Sequence, residues 1–242
     1  GFSDVYFGVY PLKAKRKISY AASMGVIDVD EKDRNYLKQM LRNFDVISVR
    51  ENNLKELVEN SVDQSVSLVP DPVFLLGKED WEQLASSKKS RSTDKYIFFY
   101  QLTPSREAIE FTNRLKNHFG YKVIEIRGRV EPSLFGKRYF QTADPCDFIS
   151  LIKNAEIVVS TSFHGTAFSL LFEKQFYSLG MGKNSGRALS LLSSLGLANR
   201  YVKNINGSDF NEKIDYTAIQ DKLNTQISDS KLYLRRSITS DL

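Results

Sequence analysis

One segment predicts a strand that runs directly into a helix: Ile157-Val-Val-Ser-Thr-Ser-Phe-His-Gly-Thr-Ala-Phe-Ser-Leu-Leu-Phe172. Its first three residues are β-branched, and the stretch from Ala167 onward continues as an apolar helix. Between the two parts stand Ser160, Thr161 and Ser162, whose hydroxyl groups are candidates for the helix N-cap. Free backbone N–H groups at a helix start attract anions, so this corner is a predicted anion site.

A histidine lies at the same corner. His164 is one of only two histidines in the chain, and an imidazole exchanges protons near neutral pH. Gly165, directly after it, permits a close approach of the backbone. The alternative interpretation is a core histidine behind a capped helix. The polar residues before His164 favour a catalytic role.

The composition is that of a globular protein. The chain has 242 residues, of which 41% are hydrophobic and 26% charged, and it contains neither a bilayer-spanning apolar run nor a signal peptide. We therefore expect a cytoplasmic location. The single cysteine, Cys146, excludes a disulfide framework, and with two histidines it forms no zinc constellation. No metal site is predicted.

The charge favours anionic partners. The formal net charge is +5, but the basic residues are scattered rather than striped, which argues against nucleic acid. The densest basic patch is Lys13-Ala-Lys-Arg-Lys17. It is typical of a solvated loop, and a peripheral contact with the inner membrane surface is the second interpretation.

Short apolar strands alternate with amphipathic helices along the chain. This pattern predicts an α/β fold with Rossmann-like parallel sheets and flanking helices. The polar residues 86–94 predict a boundary between residues 1–90 and residues 91–242. The first block lacks a Gly-rich first strand and loop, so we expect it to be the C-terminal part of a Rossmann-like domain. The second block is predicted to be another such domain with a C-terminal helix, which packs across the boundary or along the sheet.

A second helix start carries polar residues. Asn184-Ser-Gly-Arg187 offers a turn, a hydroxyl group and a guanidinium group that together suit phosphate or carboxylate. In the alternative, Asn184 or Ser185 caps the helix and Arg187 lies in solvent.

Two charged residues follow predicted strands of the first block. Arg50 stands at the carboxyl end of a strand, where ligands of open α/β sheets collect. It either points into a crevice or pairs with Glu51. Asp71 lies between two prolines and is either a rigid-turn residue or a site carboxylate.

Together these segments resemble the polysaccharide pyruvyl transferase family, in order and in spacing, over nearly the whole chain. The Ser-Phe-His-Gly-Thr segment is the specific part. The resemblance implies GT-B-like architecture, with an active site in the cleft between Rossmann-like halves. The segments that carry it are Ser48-Val-Arg-Glu51, Pro70-Asp-Pro-Val-Phe-Leu-Leu76, residues 147–171, Asn184-Ser-Gly-Arg187 and Leu192-Ser-Ser-Leu-Gly-Leu197.

The resemblance also implies a reaction. Family members move the enolpyruvyl group of phosphoenolpyruvate onto a sugar of a cell-surface polysaccharide as a pyruvate ketal, without a further cofactor. The acceptor would be a saccharide, also in lipid-linked form. His164 would be the general acid that protonates the methylene carbon or the base that deprotonates the sugar hydroxyl group. Arg50 and Arg187 would hold the phosphate and carboxylate groups. The other expected contacts are Ser160, Thr161, Ser162, Gly165, Thr166, Asn184 and Ser185.

Many family members carry an arginine at the position of Ser162, so one anion contact of the site differs here.

Two further interpretations of the chain stay open. A GT-B glycosyltransferase that uses a nucleotide sugar shares the architecture, and Glu173 stands at a position that could contact the ribose. A noncatalytic, anion-binding relative is the third interpretation.

Overall fold

The computed structural model describes residues 3–9, 14–25, 29–86, 94–128, 142–180, 186–207 and 209–239. The chain divides into two compact units. The first unit comprises Gly1–Leu75 and Asp221–Leu242, and the second comprises Leu76–Gln220.

The first unit contains a three-stranded parallel sheet in the order β1-β2-β3. Asp30 caps the first helix by accepting a hydrogen bond from the backbone N–H of Asp33. Helical spacing turns Leu37 and Leu41 into the core. The bounds are β1 Ile18–Ala22, α1 Glu31–Leu41, β2 Val46–Val49, α2 Asn52–Glu59 and β3 Val66–Leu68.

The second unit contains a five-stranded sheet in the order β5-β4-β6-β7-β8, and every pairing is parallel. The central strands β4 and β6 are apolar runs with both faces buried, as parallel strands between helices require. The strands are β4 Tyr96–Gln101, β5 Lys122–Arg127, β6 Ile157–Ser160, β7 Gln175–Leu179 and β8 Tyr201–Val202. The helices are α3 Lys78–Leu84, α4 Arg106–Phe119, α5 Pro145–Asn154, α6 Phe163–Leu171 and α7 Gly186–Leu195.

The order of the second sheet creates a topological switch point. From β4 the chain moves outward to β5, and it then returns to the other side of β4 to form β6. The helices that follow β4 and β6 therefore diverge, and a crevice opens at the carboxyl ends of these two strands. The predicted α/β class and its Rossmann-like parallel sheets are confirmed.

The predicted division at residue 90 differs from the observed one. Helix α3 belongs to the second unit, where Trp81 packs edge-on against Phe168 with ring centroids 5.0 Å apart. Glu82 of the same helix pairs with Lys153 at 3.3 Å. A polar segment marks a surface loop, but it does not reveal which core the preceding helix joins. Residues 87–93 of that segment lie outside the described residues.

The C-terminal helix also differs from the prediction, which placed it in the second block. Helix α8 spans Thr217–Thr239, and its residues from Asp221 onward belong to the first unit. There the hydroxyl groups of Ser230 and Tyr20 are hydrogen-bonded at 2.5 Å, and Tyr20 stacks on Tyr233. An amphipathic pattern predicts that one face of a helix is buried. It does not show which part of the protein covers that face.

Candidate active site

The corner predicted from the sequence lies at the switch point of the second unit. β6 ends at Ser160, whose neighbours in register are Tyr100 on β4 and Ser178 on β7. Residues 161 and 162 then lead into α6. Ligands of open α/β sheets bind at such a switch point, outside the carboxyl ends of the strands.

The Ser160 side chain stabilises the turn itself. Its hydroxyl oxygen accepts a hydrogen bond from the backbone N–H of Ser162 at 3.0 Å. The same oxygen lies 3.2 Å from the carbonyl oxygens of Tyr100 and Ser162, to which it can donate. Ser160 is 1% exposed. This hydroxyl group therefore forms hydrogen bonds within the turn, and its contact with a substrate stays a prediction.

Thr166 and Gly165 also serve the packing of α6. The Thr166 hydroxyl group donates to Ser178 Oγ at 2.9 Å, and Thr166 is 1% exposed. A Cβ atom on Gly165 would lie 2.1 Å from Ser160 Oγ and 3.2 Å from Tyr100 Cδ1. Gly165 therefore permits a close approach of Ser160 at the end of β6 and of the Tyr100 ring on β4, and its contact with a substrate stays a prediction.

Ser162 occupies the N-cap position of α6 without capping it. Its backbone is extended, and its side chain makes no hydrogen bond to the first turn of the helix. Burial raises the pKa of the Tyr100 phenol group, and the nearby Ser162 side chain opposes that rise.

His164 and Arg187 both lie beside one aromatic ring, that of Phe163. The ring of His164 lies edge-on to that of Phe163, with centroids 5.8 Å apart. The guanidinium carbon of Arg187 lies 6.0 Å from the centre of the same Phe163 ring. His164 is exposed and Arg187 is half-buried. The exposure of His164 contradicts the alternative of a core histidine. The alternative in which Asn184 or Ser185 caps the helix and Arg187 lies in solvent involves residues outside the described ranges.

Two buried polar atoms at this site have no hydrogen-bond partner in the part of the chain that the structure describes. They are Thr161 Oγ1 and Arg187 Nε. A buried polar atom without a partner lowers stability, so native proteins rarely retain one unless a ligand or water satisfies it. Both residues were predicted to contact substrate. Asn184 and Ser185, predicted to lie beside Arg187, are outside the described residues.

Arg50 lies in the first unit, where it forms an ion pair with Asp71 rather than with Glu51. The other carboxylate oxygen of Asp71 accepts the backbone N–H of Val73 at 2.9 Å, so Asp71 is both a turn residue and a counter-ion. Glu51 accepts a hydrogen bond from Ser23 at 2.5 Å. The charge of Arg50 is thus compensated within the protein.

This pairing predicts a loss of stability when Arg50 is replaced by alanine. The free energy of unfolding should fall by about 3 kcal/mol, the lower end of the usual range, because the carboxylate of Asp71 would stay buried without its counter-ion. The side chain of Asp71 is 5% exposed and that of Arg50 19% exposed. Lys55→Ala is the control, since Lys55 pairs with Glu59 at the surface and should contribute less than about 0.5 kcal/mol. Urea denaturation would measure both variants, and equal losses would contradict the prediction.

Sequence reasoning missed a buried polar network at the same sheet edge. Glu125, 0% exposed, accepts hydrogen bonds from Gln101 Nε2 at 2.5 Å and from Arg127 Nε at 2.6 Å. The signal available was the appearance of polar residues at the ends of two apolar strands. Their pairing depends on the register of β4 with β5, which a single strand does not encode.

The structure places Glu173 away from the site. It follows the C-terminal end of α6, whereas His164 lies in the first turn of that helix. Its carboxylate accepts a hydrogen bond from Gln220 at 3.0 Å. Within the described ranges, no group of three histidine, cysteine or carboxylate side chains could hold a metal ion, and no helix is long and apolar enough to cross a membrane.

The fold and the site define an α/β protein with a histidine and an arginine at the carboxyl edge of a parallel sheet. The sequence model of the family described as polysaccharide pyruvyl transferase matches residues 1–182. The chain therefore belongs to the polysaccharide pyruvyl transferase family.

Among solved structures, the chain is similar to the wall teichoic acid polymerase TagF. The identity is 11% over 89% of this chain and 66% of that one, with a TM-score of 0.40. A histidine-to-asparagine variant of TagF is 9% identical over 91% of this chain and 67% of its own, also with a TM-score of 0.40. A comparison with curated proteins finds no match.

Proposed function

We propose that the chain carries the donor site of a transferase that moves the enolpyruvyl group of phosphoenolpyruvate onto a saccharide as a pyruvate ketal. One observation supports this most directly: His164 and Arg187 both lie beside the ring of Phe163, which begins the helix after the switch-point strand β6. Membership of the family supplies the reaction class.

The charge of the site suits a small anion. Phosphoenolpyruvate carries a phosphate and a carboxylate group, and a planar guanidinium group binds either of them through two parallel hydrogen bonds. Arg187 would supply this guanidinium group, and its Nε atom is one of the buried atoms without a partner among the described residues. Thr161 Oγ1 would donate or accept a further hydrogen bond. Arg50 would act on the donor only if its ion pair with Asp71 were rearranged, so we assign the primary anion contact to Arg187.

The exposed imidazole of His164 suits proton transfer. When one sugar hydroxyl group adds to C2 of the donor, the methylene carbon C3 gains a proton and the hydroxyl group loses one. A second sugar hydroxyl group then displaces inorganic phosphate and completes the ketal. His164 would deliver the proton to C3 or accept it from the attacking hydroxyl group. Both roles require the ring to face the ligand and not the core.

The acceptor and the location follow from this proposal. The acceptor is a saccharide, and a lipid-linked form would bring the protein from the cytoplasm to the inner membrane surface. The basic residues 15–17 would then contact anionic lipid. Of these, Lys17 donates from its ammonium group to the carbonyl oxygen of Gly8 at 2.7 Å, Arg16 is half-buried and Lys15 is exposed, whereas Lys13 lies outside the described residues.

A thermal-shift titration tests the donor. Phosphoenolpyruvate at about 100 times its Kd should stabilise the chain by about 2.7 kcal/mol. Arg187→Ala should abolish the shift, because the anion loses its guanidinium contact. Arg235→Ala, at an exposed position of α8, is the control and should leave the shift unchanged. Inorganic phosphate and nucleotide diphosphate sugars complete the series. Selective stabilisation by a nucleotide sugar, or none by phosphoenolpyruvate, would overturn the proposal.

A further inference from the structure

A short 3-10 turn in the first unit presents apolar side chains to solvent. The turn spans Asp4–Phe7, and both of its ends are held on helix α1. The ring of Phe7 packs edge-on against that of Tyr36 with centroids 6.0 Å apart, and the Tyr36 hydroxyl group donates to the Asp4 carboxylate. The two residues between these anchors face outward, because Val5 is 61% exposed and Tyr6 82% exposed.

Basic residues lie against this turn. The ammonium group of Lys17 donates to the carbonyl oxygen of Gly8, directly after the turn, at 2.7 Å, and Lys15 is exposed. Residues 3–9 and 14–17 together carry three cations and one carboxylate, namely Lys15, Arg16, Lys17 and Asp4. Exposed apolar and aromatic side chains beside basic ones are what peripheral proteins present to an anionic bilayer, where a tyrosine ring lies at the level of the headgroups.

A cavity of about 540 Å³ lies behind the turn, within the first unit. Tyr6 and Phe7 form part of its wall, and most of its other lining residues are apolar, such as Leu37 on α1 and Val49 on β2. Its volume falls in the range of about 300–1,000 Å³ that is usual for ligand sites. An apolar cavity offers water few hydrogen bonds, so it binds apolar molecules. The polar side chains that line it are Ser3, Ser19, Ser23 and Asp33.

We propose that the 3-10 turn, the basic residues beside it and the cavity behind it form a site for an anionic membrane lipid. Val5 and Tyr6 enter the surface of the bilayer, Lys15 contacts the phosphate of the headgroup, and the cavity takes an apolar chain. The excess of positive charge beside a cavity of ligand size favours a lipid over a protein partner. This lipid site rests on the membrane location given under the proposed function, and not on the transfer reaction.

Cosedimentation of the chain with vesicles tests the surface without any donor. The chain should bind vesicles that contain phosphatidylglycerol about tenfold more tightly than vesicles of phosphatidylcholine alone, because only the former are anionic. Tyr6→Ser should weaken binding about tenfold, since an apolar ring no longer leaves water. Lys15→Ala should weaken it about fivefold, the usual effect of one cation at an anionic surface. Both side chains are exposed, so the fold should be preserved.

Matched controls come from the second unit. Leu84 is 51% exposed at the end of α3, and Lys116 is exposed on α4. Leu84→Ser and Lys116→Ala remove the same kinds of side chain as the two test variants, and they should bind vesicles as the wild type does. Equal binding to both kinds of vesicle, or equal weakening in the controls and the test variants, would overturn the lipid site.

A short-chain lipid tests the cavity. The methyl resonances of Leu37 and Val49, which line it, should shift when dihexanoyl phosphatidylglycerol is added below its micelle concentration. Glycerol phosphate carries a similar anion without the chains and should leave these resonances unchanged. Shifts with both compounds, or with neither, would show that the cavity takes no lipid chain and would overturn the proposal.

The donor assignment is tested separately. A chain that binds phosphatidylglycerol vesicles but not phosphoenolpyruvate would uphold the lipid site and overturn the proposed function alone. A chain that binds phosphoenolpyruvate but neither kind of vesicle would overturn the lipid site alone.

Discussion

Replacing His164 by alanine should reduce turnover about 10²–10⁴-fold, the usual contribution of a positioned general acid or base. Phosphoenolpyruvate binding should change little, because the anion contacts assigned to Arg187 and Thr161 remain. Stability should also be preserved, since the imidazole is exposed and an exposed side chain contributes little to the core. The assay is release of inorganic phosphate from phosphoenolpyruvate in the presence of a saccharide acceptor.

The second histidine of the chain supplies the control for this experiment. His118 is exposed near the end of α4, and its Nε2 atom lies 3.3 Å from the side-chain oxygen of Asn211. His118→Ala should turn over at the wild-type rate. Turnover of His164→Ala within tenfold of wild type would show that the imidazole transfers no proton in the rate-limiting step. The proposal that places it there would then be wrong.

Gly165→Ala should destabilise the second unit by about 3 kcal/mol, the upper part of the range for an overpacked core position. The new Cβ atom would lie 2.1 Å from Ser160 Oγ and 2.6 Å from Ser160 Cβ, so either α6 or the end of β6 must move. Moving Ser160 also breaks the hydrogen bond that its hydroxyl oxygen accepts from Ser162. Chemical denaturation followed by circular dichroism would measure the loss.

Gly186→Ala is the matched control, because among the described residues outside its own helix backbone and chain neighbours no atom lies within 4 Å of the Cβ position at Gly186. This residue begins α7, where alanine favours the helix, so its free energy of unfolding should stay equal or rise slightly. A loss below about 1 kcal/mol for Gly165→Ala would show that the corner yields to an added methyl group. The close contact between α6 and β6 would then not be the reason for the glycine.

Local sequence patterns predicted much of the second sheet. The β-branched run that begins at Ile157 forms a strand, Phe163 begins the helix after it, and Gly196 follows α7 with a φ of 81°, in the left-handed conformation expected of a C-cap glycine. These features depend on residues a few positions apart, so they can be predicted from the sequence. Strand β8, with two residues, has too short a pattern to be recognised.

The candidate site was only partly predictable, and Ser160, Thr161 and Ser162 show why. Their clustering at a strand-to-helix corner indicated a polar site. In the structure, the Ser160 hydroxyl group forms hydrogen bonds within the turn, the Ser162 side chain makes no hydrogen bond to the helix it precedes, and Thr161 Oγ1 is buried with no partner among the described residues. Three similar side chains thus have three different roles, because their surroundings come from a strand sixty residues earlier.

The sequence by itself determined the periodicities, the helix starts and the family, because each is carried by short-range patterns and their order along the chain. Only the tertiary structure decided that Arg50 pairs with Asp71, that α8 supplies residues to the first unit, and that His164 and Arg187 share the ring of Phe163. Each of these depends on which strands become neighbours and on which face of a helix is covered. These contacts result from the packing of segments that are distant in the sequence, so no local pattern encodes them.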